Sequence, residues 1–166
     1  MRKILTLVIL GLFVFTLTAC ISEDDILELE KKALSIGATS FKCIDVRKKY
    51  YDDCIKYLIF GNVLKNGTYP LSVSAERVVQ AITVAEYAKS LNIKTIAHGS
   101  TGAGNDQVRF DMIFQHVIPN VEIITPIRDE KLSREEEITF LKNHDVVYDF
   151  VKAKYSVNKG IWGTSV

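Results

Sequence analysis

The chain has little of what would suit it to a nucleic acid, a zinc ion or an oxidising compartment. Lys and Arg number 21 against 20 Asp and Glu, a formal net charge of +1, and no block of like charges occurs in the 166 residues. A polyanion-binding surface needs clustered cations, so nucleic acid is not an expected partner. The three cysteines, Cys20, Cys43 and Cys54, are an odd number at spacings that match no zinc pattern, and they make no disulfide framework. Cys43 and Cys54 are expected to be reduced, buried and apolar. His98, His116 and His144 stand at no ligand spacing with one another or with cysteine, so no metal site is expected. Internal repeats, low-complexity tracts and linkers are also missing. With 48% hydrophobic residues, the chain has the composition of one globular domain able to bury a core.

No apolar run reaches the roughly 20 residues of a comfortable membrane span. The nearest is Ile4 to Leu17, which follows Arg2 and Lys3 and leads into Leu17-Thr18-Ala19-Cys20. That pattern has the form of a lipoprotein signal with lipidation at Cys20, which would place the protein on a membrane. A buried strand of a parallel sheet has the same composition and is the alternative. Residues 1–21 are therefore set apart from residues 22–166.

From Ser22 onward the chain alternates between helix and strand. Ser22 caps a helix with acidic residues in its first turn, Ile26, Leu29, Ala33 and Ile36 recur at helical spacing, and Gly37 stops the run. A strand is predicted over Phe41–Val46. The next helix, marked by Tyr51, Ile55, Leu58 and Ile59, is predicted to end near Asn66-Gly67. A longer helix from about Ser74 turns Val78, Ala81, Ile82, Ala85 and Ala88 inward. Lys94–His98 and Val121–Thr125 read as strands, with a helix from Asn105 to about Val117 between them. Ser133 and Glu136 form a capping box for a helix ending near Asn143, and Val146–Val151 is expected to be extended. This alternation implies an α/β fold in which helices cover a parallel sheet and ligands bind at the carboxyl ends of its strands.

The densest chemistry lies at one such end, in His98-Gly99-Ser100-Thr101-Gly102-Ala103-Gly104-Asn105-Asp106-Gln107-Val108-Arg109-Phe110. Glycines let backbone N–H groups approach an anion, and the helix after them adds its positive end. On that helix Asn105, Arg109, Met112 and His116 share one face, and Phe110, Ile113, Phe114 and Val117 form an apolar stripe on another.

Together with Tyr69-Pro70-Leu71-Ser72-Val73-Ser74-Ala75-Glu76-Arg77, Thr125-Pro126-Ile127-Arg128-Asp129 with Ser133-Arg134-Glu135-Glu136-Glu137, and Lys154-Tyr155-Ser156 running to Trp162-Gly163-Thr164-Ser165, this junction resembles argininosuccinate synthase. The motifs stand in the family's order, and the resemblance covers roughly Ser22 to Val166, less than half of the family's usual length. The resemblance implies a Rossmann-like, adenine nucleotide alpha hydrolase-like domain. It further implies the ATP-dependent ligation of citrulline and aspartate to argininosuccinate, with release of AMP and pyrophosphate, in arginine biosynthesis. Magnesium would accompany ATP, the family's assembly is a homotetramer, and its location is cytoplasmic.

Carried over by position, Gly99 would lie against ATP, Thr101, Asn105 and Asp106 would hold aspartate, and Tyr69, Ser74, Asn105, Arg109, Ser156 and Ser165 would contact citrulline. The side chains suit these duties: Arg109 can clamp a carboxylate, Asp106 can accept from an ammonium, and Asn105 can donate and accept. Plainer duties stay open as well. Arg109 could pair with Asp106 within the helix, Ser74 could be an N-cap, and Tyr69 could pack at a turn. Ala103 stands where many members place lysine, which removes a cation. The Ser-Gly-Gly-Leu-Asp-Thr-Ser loop that grips pyrophosphate in the family does not occur, and neither does the second lobe. These departures imply a partial nucleotide-binding domain that is inactive alone. The alternative is a lipid-anchored, non-catalytic amino-acid-binding protein.

Overall fold

The computed structural model describes residues 12–17, 22–67, 69, 70, 72–144, 146, 158–160 and 163–165, and for some of these, Tyr69 and Ser165 among them, the backbone alone. Two βαβ units form its frame. In the first, β1 (Leu12–Leu17) and β2 (Ser40–Asp45) are parallel, in register from Leu12 opposite Ser40 to Leu17 opposite Asp45, and α1 (Glu23–Ser35) joins them. The described part of the apolar run is thus a strand, and the boundary between residues 21 and 22 falls inside this unit. Cys20 lies outside the described residues.

Helix α1 begins where its chemistry dictates. The Ser22 hydroxyl accepts from the Asp25 N–H, the Asp25 carboxylate accepts from the Ser22 N–H, and three acidic residues face the positive end. Ala33 is buried, Ile36 caps the C-terminus half exposed, and Gly37 comes next at φ 102°, a conformation that costs a glycine little.

The segment after β2 departs from the expected single helix. It is built as α2 (Arg47–Tyr50), a π-helical turn over Tyr51–Ile55, and α3 (Lys56–Phe60). The wide turn places Tyr50 and Ile55, five residues apart, on the same inward face, and both are almost fully buried. Tyr51 and Ile59, which mark the predicted helix, are 45% and 40% exposed. The helix also stops earlier than expected, at Gly61, with Asn62 left-handed at φ 46°. Asn66-Gly67 instead turns a short antiparallel hairpin, β3 (Leu64–Lys65) and β4 (Tyr69–Pro70), with both turn residues at positive φ. Cys43 and Cys54 are free thiols and only half-buried, a correction to the burial expected of them. Burial, and beyond it the neighbouring carboxylates Asp45 and Asp53 respectively, pushes each thiol above its ordinary value.

The second βαβ unit carries the site. Helix α4 (Ser72–Ser90) leads to β5 (Thr95–Ala97), the glycine-rich turn, α5 (Asp106–Val117) and β6 (Glu122–Ile124), and β5 and β6 are parallel. Hydrogen bonds from the Glu122 N–H to Lys94 O and from the His98 N–H to Ile124 O carry the pairing to the ends predicted for β5. Ala81, Ala85 and Ala88 let α4 approach closely, and Ile96, Ile113, Phe114 and Ile118 fill the space to make the main core. Phe110 and Val117 pack at its edge, so the predicted stripe is the buried face of α5. A second core gathers Val46, Tyr50, Ile55 and Val79.

Thr125-Pro126 opens α6 (Pro126–Glu130), a short helix with proline in its first turn, which periodicity did not reveal. Helix α7 (Arg134–Asn143) has the predicted Ser133–Glu136 capping box. Backbone pairing then joins β7 (Asn158–Gly160) to β8 (Gly163–Ser165). Of Val146–Val151 only Val146 is described, outside any strand. Among the described residues each ladder is two-stranded, so the parallel sheet is represented by two separate pairs.

Candidate functional site around the glycine-rich turn

The turn from His98 to Asn105 links the carboxyl end of β5 to the N-terminus of α5, and two polar networks flank it. The first joins α5 to α4. Arg109 pairs through Nη1 with Asp106 Oδ1 at 2.8 Å, and its Nη2 donates to Ser74 Oγ at 3.1 Å. Arg77 Nε lies 3.4 Å from Asp106 Oδ2, so two guanidinium groups flank one carboxylate. Arg77 also donates to Gln80 Oε1, whose amide donates to the buried Glu76. Helix α4 starts at Ser72, which puts Ser74 inside the first turn and not at the N-cap. Its hydroxyl serves the inter-helix contact.

Asn105 is the residue before α5. It has right-handed helical φ and ψ, its side chain makes no capping hydrogen bond, and it is exposed. Met112 and His116 are exposed on the same side, and Arg109 is partly covered by its partners. Thr101 and Gly99 are exposed on the turn. A Cβ added to Gly99 would meet nothing within 4 Å, and its φ lies outside the glycine-favouring range. The fold itself therefore does not demand a glycine there. A missing side chain over open space suits a ligand that must come close to the backbone.

The second network lies on the other flank and was not singled out by sequence. His98 Nε2 is 2.9 Å from Asp111 Oδ1, and Arg128 Nη1 is 2.6 Å from Asp111 Oδ2. The Ser100 N–H donates to His98 Nδ1 at 3.3 Å, so the imidazole satisfies both contacts as the Nε2–H tautomer. Burial pushes the Asp111 carboxyl up, but hydrogen bonds from His98 and Arg128 outweigh it and hold the group below its ordinary value. The hydrogen bond to Asp111 in turn raises Arg128. His98 and Arg128 stand within the motifs that carry the resemblance, but nothing in the sequence joins them to Asp111.

The structure thus brings together Ser74, Asp106 and Arg109 around the turn that carries Gly99, Thr101 and Asn105. Tyr69 enters only as the backbone partner of Lys65, Ser165 only as the backbone partner of Asn158, and Ser156 lies outside the described residues. Among the described residues no group of three or more His, Cys, Asp or Glu is placed to hold a metal ion.

Residues 8–147 match the family described as the Arginosuccinate synthase N-terminal HUP domain. The chain belongs to the argininosuccinate synthase family. The match opens at residue 8, within the apolar run and ahead of Ser22, where the resemblance was expected to begin. Argininosuccinate synthase of Sulfurisphaera tokodaii is 40% identical over 154 residues, 92% of this chain and 40% of that protein. Those of Picrophilus torridus and Chlorobaculum parvum are 39% and 37% identical, over 92% and 83% of this chain and 38% and 35% of theirs. The chain spans about two fifths of the length of these curated relatives. Its fold class is that of the family's HUP domain.

Proposed function

We propose that this chain serves the ATP-dependent joining of citrulline to aspartate, forming argininosuccinate and releasing AMP and pyrophosphate. Its share is the aspartate side of the site and part of the citrulline side. The observation that supports this most is the contact of Arg109 with both Asp106 and Ser74, which sets a guanidinium, a carboxylate and a hydroxyl beside a glycine-rich turn. An unactivated ureido carbon is a poor electrophile, so ATP first adenylates the ureido oxygen. The aspartate amine then attacks that carbon, and AMP leaves with the oxygen.

These residues bind and orient, which is where the rate advantage of such chemistry arises. Arg109 would hold the citrulline carboxylate, exchanging part of its bond to Asp106 for the ligand. Asp106 would then accept from the aspartate ammonium, with Thr101 and Asn105 completing that subsite. Gly99 would admit the nucleotide. Tyr69, Ser156 and Ser165 would complete the citrulline contacts.

Magnesium is typically held by one or two carboxylates together with phosphate oxygens, so it would enter with ATP, where it offsets the charge of the departing pyrophosphate. Residues 22–166 would form the partial nucleotide-binding domain, with β1 completing its first βαβ unit. Homotetrameric assembly and a cytoplasmic location belong to the same reading.

Calorimetry with aspartate, citrulline and ATP on the full chain tests the assignment. Arg109→Ala should weaken citrulline binding at least tenfold, and Gly99→Ala should weaken ATP binding while leaving the unfolding midpoint unchanged. Equal citrulline affinity in wild type and Arg109→Ala would remove Arg109 from the site.

A further inference from the structure

The second polar network closes on itself around the glycine-rich turn. From the turn's own start, the Ser100 N–H donates to His98 Nδ1 and His98 Nε2 meets Asp111 Oδ1. Asp111 Oδ2 accepts from Arg128 Nη1, which also lies 3.4 Å from Gln107 Oε1. Gln107 Nε2 returns to the turn, donating to Gly102 O at 2.6 Å. The ring draws on β5's end, α5 and α6, and its two ends grip the turn at Ser100 and Gly102. A Cβ on Gly102 would lie 3.7 Å from Arg128 Cγ, so the guanidinium stem also backs the turn directly. Arg128 is itself anchored, its Nε donating to the buried Thr125 at 3.2 Å.

We propose that His98, Gln107, Asp111 and Arg128 act as positioning residues that hold the glycine-rich turn in its ligand-receiving shape. Each link depends on the next. The imidazole accepts from Ser100 only while its proton sits on Nε2, and that tautomer is selected by the Asp111 carboxylate. The carboxylate keeps its orientation because Arg128 holds the other oxygen. Gln107 can present its amide to Gly102 because its carbonyl is turned toward Arg128. Pairings that share a charge-assisted carboxylate lose more than one bond when that carboxylate is neutralised. Among the described residues, none of the network's hydrogen bonds reaches a residue assigned to aspartate or citrulline. Its effect on those ligands would pass through the backbone of residues 99–104, and that consequence alone rests on the proposed ligase function.

The test uses the full chain without ligand, then with L-aspartate. Nitrogen NMR of the His98 ring should show a protonated Nε2 and a bare Nδ1 in the wild type. Asp111→Asn should speed exchange of the Ser100 amide by about tenfold or more, with exchange at Ala85 and Ile113 in the core unchanged. Asp111→Glu, which keeps the charge, should restore slow exchange. Gln107→Ala, a change at a half-exposed side chain, supplies a second variant should Asp111→Asn fail to fold, and it should shift the carbonyl-carbon resonance of Gly102, whose oxygen loses its donor. An Nδ1–H ring in the wild type, or wild-type Ser100 exchange in Asp111→Asn together with an unmoved Gly102 carbonyl resonance in Gln107→Ala, would overturn the proposal. Aspartate affinity should fall in Asp111→Asn and recover in Asp111→Glu. Failure of the wild type to bind aspartate would count against the proposed function, while the ligand-free exchange still decides the role of the ring.

Discussion

Replacing Phe114 by alanine tests the orientation of α5, on which the whole site depends. Phe114 is 3% exposed, its ring stacks on Phe110 with centroids 5.8 Å apart, and it packs in the core that holds Ala81, Ala85, Ile96, Ile113 and Ile118. Truncating a buried phenylalanine costs about 3–5 kcal/mol. The alanines on α4 offer no longer side chains to collapse into the space, and the stacked pair adds about 0.5–1.5 kcal/mol, so the upper part of that range is expected. A domain of this size has about 5–15 kcal/mol in total, which makes the loss a large share of its stability. Met112, two residues earlier, is 60% exposed on the face shared with Asn105 and Arg109, and Met112→Ala should stay within about 0.5 kcal/mol of the wild type. Urea unfolding monitored by far-ultraviolet circular dichroism measures both. Equal losses in the two variants would mean that α5 does not present Asn105, Arg109 and Met112 to one side, and the site would fall with it.

Other perturbations check separate links. Ser22→Ala removes one half of the α1 capping box and should cost about 1 kcal/mol, read as a lower urea midpoint with unchanged slope. Gly67 sits at φ 71° with open space around it, so Gly67→Ala should destabilise through backbone strain alone, whereas Gly67→Asn should be tolerated. The Asp111 carboxyl is held below its ordinary value, so it stabilises the fold above its unfolded-state value near pH 4. That stabilisation should be lost as pH falls through the lower folded-state value. Unfolding curves of Asp111→Asn should therefore show a shallower acid dependence than wild type below about pH 4, and parallel curves would contradict the assigned pairing.

Local chemistry made much of the frame legible in the sequence. Ser22 with its acidic neighbours, Gly37, the Ser133–Glu136 box and the stripe Phe110, Ile113, Phe114 and Val117 each act within a few residues, and each is where it was expected. The errors arose where a local signal had competing outcomes. A period of 3.6 carried past Tyr50 points to Tyr51 and Ile59, but the second core takes Tyr50 and Ile55 and inserts a π-turn to reach both. Asn66-Gly67 marked a real turn, but one between strands and not at a helix end. Helix α6 stayed hidden because it is too short to show a period.

By itself the sequence determined the alternation of helix and strand, the position of the glycine-rich turn and the family. These depend on contacts between near neighbours or on the order of motifs. Only tertiary structure decided that Arg109 meets Ser74 across 35 residues, that Arg77 shares Asp106, and that Arg128 reaches Asp111 across 17. Such pairs depend on how α4 and α6 are set against α5. That setting is made by the alanines, Ile113 and Phe114 in the core, whose burial carries no information about which polar groups it will bring together.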